Sequence, residues 1–205
     1  MRRVTSMVPK SAKERFEHLL AVIPSERFLK KQGLGNEVPF FICPFDPAEA
    51  FAVAEDVQLL LKKLQNIGLG VLHIDLYELA LQILGERNIL DQILEVEAVE
   101  TKAELRELLQ GVLDPAAHLI PEIAKMIAST SHDVIFITGV GEVYPYVRSH
   151  NVLNNLQSTA KDRPTVMFFP GTYTHALATG AALDLFGLLQ DDKYYRAFNI
   201  LNYEV

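Results

Sequence analysis

The stretch VIFITGVGEVYPYVRSHNVLNNL, residues 134–156, runs from an apolar strand pattern into Gly139-Val140-Gly141, then past two tyrosines, an arginine, a histidine and three asparagines. A glycine pair after a strand raises the question of phosphate binding. A dinucleotide loop needs a third small residue to let the helix approach the strand, and position 144 is Tyr. The other place for a phosphate is the loop after the first strand pattern, CPFDPAEAF. A phosphate loop there needs glycines whose amides cradle the anion and a lysine to neutralise it. This loop has neither, and it carries Asp46 and Glu49 where the anion would sit. Carboxylates suit the positive end of a helix themselves, and they repel a phosphate from it.

The remaining chemistry-bearing residues are scattered. In the run HID, His73 and Asp75 fall on one face of a strand, which fits an acid–base pair, a metal pair, or a histidine held by a backbone carbonyl beside a helix-capping aspartate. A hydrolase built on the two stays open unless both lie buried away from any cleft. His18 and His118 fall in helical patterns, His132 in a turn, and His175 in a Thr/Ala/Gly-rich loop. Asp191-Asp192 reads as a solvated turn and helix cap. No metal-spaced Cys/His set, His-Glu-x-x-His or Gly-x-Ser-x-Gly is present, so no metal or cofactor is expected. Cys43, the single cysteine, lies in the apolar run PFFICPF and reads as a small buried hydrophobe.

The elements that must position these residues follow from the apolar patterning. Nearly continuous apolar runs at Val38–Ile42, Gly70–Ile74, Asp133–Thr138, Thr165–Phe169 and, more weakly, Ala197–Leu201 predict strands buried on both faces. Helical patterns separate them. Asp46-Pro47-Ala48-Glu49 is a helix start, and Val57, Leu60, Leu61 and Leu64 continue it toward a stop at Gly68. Ser11-x-x-Glu14 and Thr101-x-x-Glu104 are capping-box patterns, Asp114-Pro115 opens another helix, and Gly85 and Pro121 are expected breaks. The fold class is therefore α/β. A mostly parallel sheet of about five strands is flanked by helices, in the order of a P-loop NTPase but without a P-loop. The 205 residues are expected to form a single α/β domain, with 1–32 a helical lead-in and 76–130 a helical insertion.

The composition is 49% hydrophobic and 22% charged, and the net charge of -7 argues against direct nucleic-acid binding. No apolar run approaches the roughly 20 residues that span a bilayer, and the N-terminus lacks the apolar core of a signal peptide, so a cytoplasmic protein is expected. Polar and aromatic residues gather in two segments, Gly139–Leu156 and Phe168–Leu201, each following a strand. In a parallel sheet both would lie at the carboxyl edge, where such folds bind things. Tyr144, Tyr146, Arg148, His150, Tyr173, Tyr194, Tyr195 and Arg196 would then share one side, and Tyr and Arg dominate protein–protein hot spots.

These two segments resemble the BrxB family of bacteriophage exclusion (BREX) defence systems. The resemblance covers the chain in length and strand order and is specific from about Asp133 onward. It marks Gly139, Gly141, Tyr144, Pro145, Arg148, His150, Asn154 and Asn155 in the first segment. In the second it marks Phe168, Phe169, Pro170, Gly171, Tyr173, Leu185, Phe186, Gly187, Tyr194, Tyr195, Arg196, Ala197 and Phe198. The run THALATG stands where the family pattern has Asp-Gly. The resemblance implies a small subunit that restricts phage together with an AAA-type ATPase, an alkaline-phosphatase-like protein and an adenine DNA methyltransferase, with no assigned catalysis. The reading that follows is a non-catalytic adaptor docking larger partners through a Tyr/Arg-bearing edge. The alternative is a nucleotide-binding regulatory subunit without a standard P-loop.

Overall fold

A computed structural model describes residues 11–32, 39–156, 158–176, 180–187, 189–191 and 197–204. Among these residues seven strands form the sheet: β1 (Phe40–Phe45), β2 (Val71–Asp75), β3 (Val134–Thr138), β4 (Thr165–Ala176), β5 (Gly180–Leu185), β6 (Leu189–Asp191) and β7 (Phe198–Asn199). The order is β2-β3-β4-β1-β7, with every neighbouring pair along this path parallel. The five expected strands are all found, with ends shifted by a few residues, and the sheet is mostly parallel and flanked by helices. Val38, the expected start of the first strand, lies outside the described residues.

Strands β5 and β6 were not expected. The second half of β4, from Gly171, leaves the parallel register and pairs antiparallel with β5, which pairs in turn with β6. Sequence patterning reads the Thr/Ala/Gly-rich run after Tyr173 as a loop, because small residues carry little strand signal. Its backbone instead continues the ladder as far as Ala176 and resumes at Gly180. Phe186 and Gly187 turn the β5–β6 hairpin, both with positive φ (59° and 69°).

Alternation along the parallel strands divides the interior in two. Phe40, Ile42, Ile135, Ile137, Met167 and Phe169 face one layer. There they pack against α4 (Leu76–Glu86), α5 (Leu90–Glu97), α6 (Lys102–Val112), α7 (Ile120–Ser129) and α8 (Ser149–Leu156). Phe41, Cys43, Val134, Phe136, Val166 and Phe168 face the other layer, against α1 (Ala12–Val22), α2 (Glu26–Leu29) and α3 (Ala50–Asn66). Each fully buried phenylalanine contributes about 2 kcal/mol of transfer free energy. Phe136 and Phe168 also meet edge-on, with centroids 5.4 Å apart.

The local signals hold closely. Both capping boxes form, and Gly68 ends α3 at φ +82°, with the Leu69 amide donating back to the Leu64 carbonyl. Asp46 accepts from the Ala48 amide, although the chain makes one 3-10 turn, Pro47–Glu49, before α3 begins. Two expected breaks are displaced. Gly85 stays inside α4, and the irregularity assigned to Pro121 falls earlier, in a π-helical turn over Pro115–Leu119 capped by Asp114. Pro121 then sits in the first turn of α7, where its missing N–H costs nothing.

Candidate functional site at the carboxyl edge

The parallel strands end together. Asp75 is in register with Thr138, and Phe45 with Pro170. Between these ends and the first half of α3 lies a cleft of about 320 Å³. Phe45, Phe168 and Phe186 supply aromatic walls, His73, Asp75 and Thr138 lie at the strand ends, and Gly139–Glu142 forms one rim.

His73 and Asp75 are joined by Thr138. The Thr138 hydroxyl donates to Asp75 Oδ2 (2.8 Å) and lies 2.8 Å from His73 Nε2. A carboxylate can only accept, so the threonine proton points at Asp75, and His73 Nε2–H donates to the threonine oxygen. The other Asp75 oxygen accepts from the Tyr77 and Glu78 amides and caps α4. Sequence reasoning anticipated the cap. It expected a backbone carbonyl as the partner of His73 and missed Thr138, which reaches His73 only through the register of β2 and β3. Burial pulls the His73 pKa below its usual value, opposed by the nearby Asp75. Glu142, on the rim, is pushed the other way, first by burial and then by the charges of Asp75 and Glu78.

His73 and Asp75 are thus half-buried in the cleft rather than remote from it. Their order still differs from that of an activated nucleophile. In a catalytic triad the hydroxyl proton faces the histidine lone pair, and here it faces the acid. Among the described residues no group of three or more His, Cys, Asp or Glu side chains is placed to hold a metal. Burial pushes the Cys43 thiol up to about 12, leaving it in the unreactive thiol form. At the end of β1, Glu49 pairs with Arg15 at 2.8 Å, an arginine only 5% exposed.

The two polar–aromatic segments meet beside the cleft. Gly139 has φ +73°, and a Cβ there would stand 2.6 Å from Asp75 Oδ1 and 2.9 Å from the Tyr77 amide nitrogen. Glycine is required so that the loop can close over the cap of α4. A Cβ on Gly141 would meet Pro170 and Phe186 at 3.0–3.3 Å. The Phe186 amide donates to the Pro170 carbonyl (3.0 Å), and its ring meets Tyr144 edge-on at 6.0 Å. A Cβ on Gly171 would stand 2.1 Å from the Asp184 carbonyl oxygen across the β4–β5 pair.

The other marked residues divide between interior and surface. The peptide bond before Pro145 is cis, and the Pro145 carbonyl accepts from Gln110 of α6. Tyr173 is buried, with its hydroxyl on the Ala197 carbonyl, and His150 is 3% exposed. Asn155 donates to the Asn151 carbonyl. Phe198 is half-buried against Phe41, with centroids 5.9 Å apart. Tyr144 and Tyr146 are half-buried against the core, and Arg148 and Asn154 are exposed. Tyr194, Tyr195 and Arg196 lie outside the described residues.

Residues 72–200 match the family model described as BREX protein BrxB. The chain belongs to the BrxB family. It is 35% identical to the BREX protein BrxB of Bacillus cereus (strain H3081.97) over 193 residues, covering 92% of this chain and 97% of that one. It is 28% identical to the BREX protein BrxB of Escherichia coli O9:H4 (strain HS) over 187 residues, covering 91% and 90%. No solved structure matches the chain. The resemblance seen in two segments therefore extends across nearly the whole chain, and it makes this a BREX defence-system protein. No described helix is long and apolar enough to cross a membrane.

Proposed function

We propose that the chain is a non-catalytic docking subunit of its BREX system, holding a larger BREX subunit through the Gly139–Leu156 segment. The observation that carries this reading is the division within that segment. Val140, Val143, Val147, Val152 and Leu153 are buried and fix the backbone, while Arg148 is left exposed at the start of α8. An arginine on a fixed backbone is the kind of anchor that dominates interfaces, because no backbone order is lost when it binds. The partners it would serve are the AAA-type ATPase or the alkaline-phosphatase-like protein of such systems. The acidic net charge favours a protein partner over direct contact with DNA, and the work is cytoplasmic.

A tagged chain expressed with its intact gene cluster is expected to bring down a BREX subunit. Arg148→Ala is expected to lose that subunit while melting at the wild-type temperature. Full recovery of the subunit by a folded Arg148→Ala protein would move the interface elsewhere. A second reading, a nucleotide-binding regulator, is favoured by one observation, the position of the cleft at the carboxyl edge. Against it, the charged residues lining that cleft among the described residues are acids. The likeness to an NTPase sheet is an analogy of strand order.

A further inference from the structure

We propose that the cleft between α3 and the strand ends binds an organic cation, a guanidinium or ammonium on an apolar stem, presented by a basic side chain of a partner polypeptide. The polypeptide source rests on the docking reading above; the cation chemistry rests on the cleft alone.

The cavity comes first. At about 320 Å³ it has room for a whole side chain, and it lies at the small end of the range for ligand sites. Its walls include three phenylalanine rings, Phe45, Phe168 and Phe186, whose faces attract a cation and whose surface would bury a methylene stem. Phe186 is held there by a positive φ, by its amide bond to Pro170 and by the edge of Tyr144. A bulky residue kept in that conformation is an expense the local structure sustains.

The polar lining supplies the sign. Among the described residues, those lining the cleft that can ionise are His73, Asp75 and Glu142, with no lysine or arginine. Asp75 is immobilised by three hydrogen bonds, so it stays at the floor as a fixed acceptor. Glu142 stands on the rim, where burial first and then the nearby carboxylates Asp75 and Glu78 oppose its ionisation. Burial disfavours protonation of His73, so it does not serve as the counterion. An anion entering this cleft meets repulsion from the two described carboxylates, Asp75 and Glu142, and a cation relieves it.

The test uses amide-resolved NMR of the isolated full chain with N-acetyl-arginine amide, and with N-acetyl-citrulline amide as the neutral isostere. The arginine probe is expected to shift the amides of His73, Thr138 and Gly139–Glu142 saturably, the citrulline probe is not, and Glu142→Gln is expected to weaken the arginine probe roughly threefold or more. No shift at these amides, or equal shifts with both probes, overturns the cation site. The source is tested by co-purification with Glu142→Lys, checked by thermal melting. Loss of the BREX subunit by the folded variant supports a polypeptide side chain. Wild-type recovery, with the arginine probe still binding the parent, overturns that source in favour of a free small cation. If the wild-type chain itself brings down no BREX subunit, the docking reading fails, and the NMR titration still judges the cleft.

Discussion

Strands β1 and β2 each deliver an aspartate to the turn that follows, and the two ends are used differently. Asp46 is exposed and caps only its own turn, and the neighbouring Glu49 is answered by the buried Arg15. Asp75 caps α4, accepts from Thr138, is tied through it to His73, and lies under the Gly139 backbone and beside the cleft. An acid at a helix start can do no more than finish the helix, or it can become the node of a site. What separates the two cases is whether a neighbouring strand brings a second polar group and a glycine loop against it.

The comparison predicts an order of effects. Gly139→Val should be the most damaging change, costing about 3 kcal/mol or more, because a left-handed backbone and a collision with the Asp75 cap coincide. Denaturant unfolding would measure it, and a cost near that of an ordinary surface change would mean the loop does not close on the cap. Asp75→Ala should cost about 2 kcal/mol, since two amides and a hydroxyl lose their acceptor. Asp46→Ala should cost about 1 kcal/mol, the ordinary value of a lost cap. Equal costs for the two aspartates would erase the distinction drawn between the two ends.

The smallest effects are pH-dependent. Glu142 has its folded pKa raised above the ordinary 4.5, so its contribution favours the fold below that value and is lost as pH rises through the folded one. Glu142→Gln should therefore melt slightly higher than wild type at neutral pH, with the difference vanishing below pH 4.5. His73 has its folded pKa lowered from 6.5, so its contribution is complete above that value and declines as pH falls through the folded one. Its ring resonances should titrate with a midpoint below 6.5.

Much of this architecture is legible in the sequence because the parallel strands are continuous apolar runs and the helices announce their caps. Phe40–Phe45 and Val134–Thr138 are buried on both faces, so their signal does not depend on register. β5 and β6 escaped because Gly180–Leu185 is short, small and paired to a strand extension that no periodicity marks. The acid at the end of β2 was visible, and the Asp75–Thr138–His73 relay was not, because register between strands 63 residues apart is a tertiary fact. The Gly-x-Gly raised the question of phosphate chemistry but lacked the third small residue that a dinucleotide loop needs. In the fold its first glycine accommodates a carboxylate cap and its second accommodates Pro170 and Phe186. The tyrosines read as sharing one edge divide on folding, with Tyr173 buried and bonded to Ala197 and Tyr144 edge-on against Phe186.

The acids at this carboxyl edge, Asp46 and Glu49 after β1 and Asp75 and Glu142 at the cleft, should close it to phosphate. Amide-resolved NMR of the full chain titrated with ATP and magnesium tests it most directly. The amides of Asp46–Ala50 and Gly139–Glu142 should stay in place through the titration. A saturable shift of either group would show a phosphate held where the carboxylates stand, and the claim would fail.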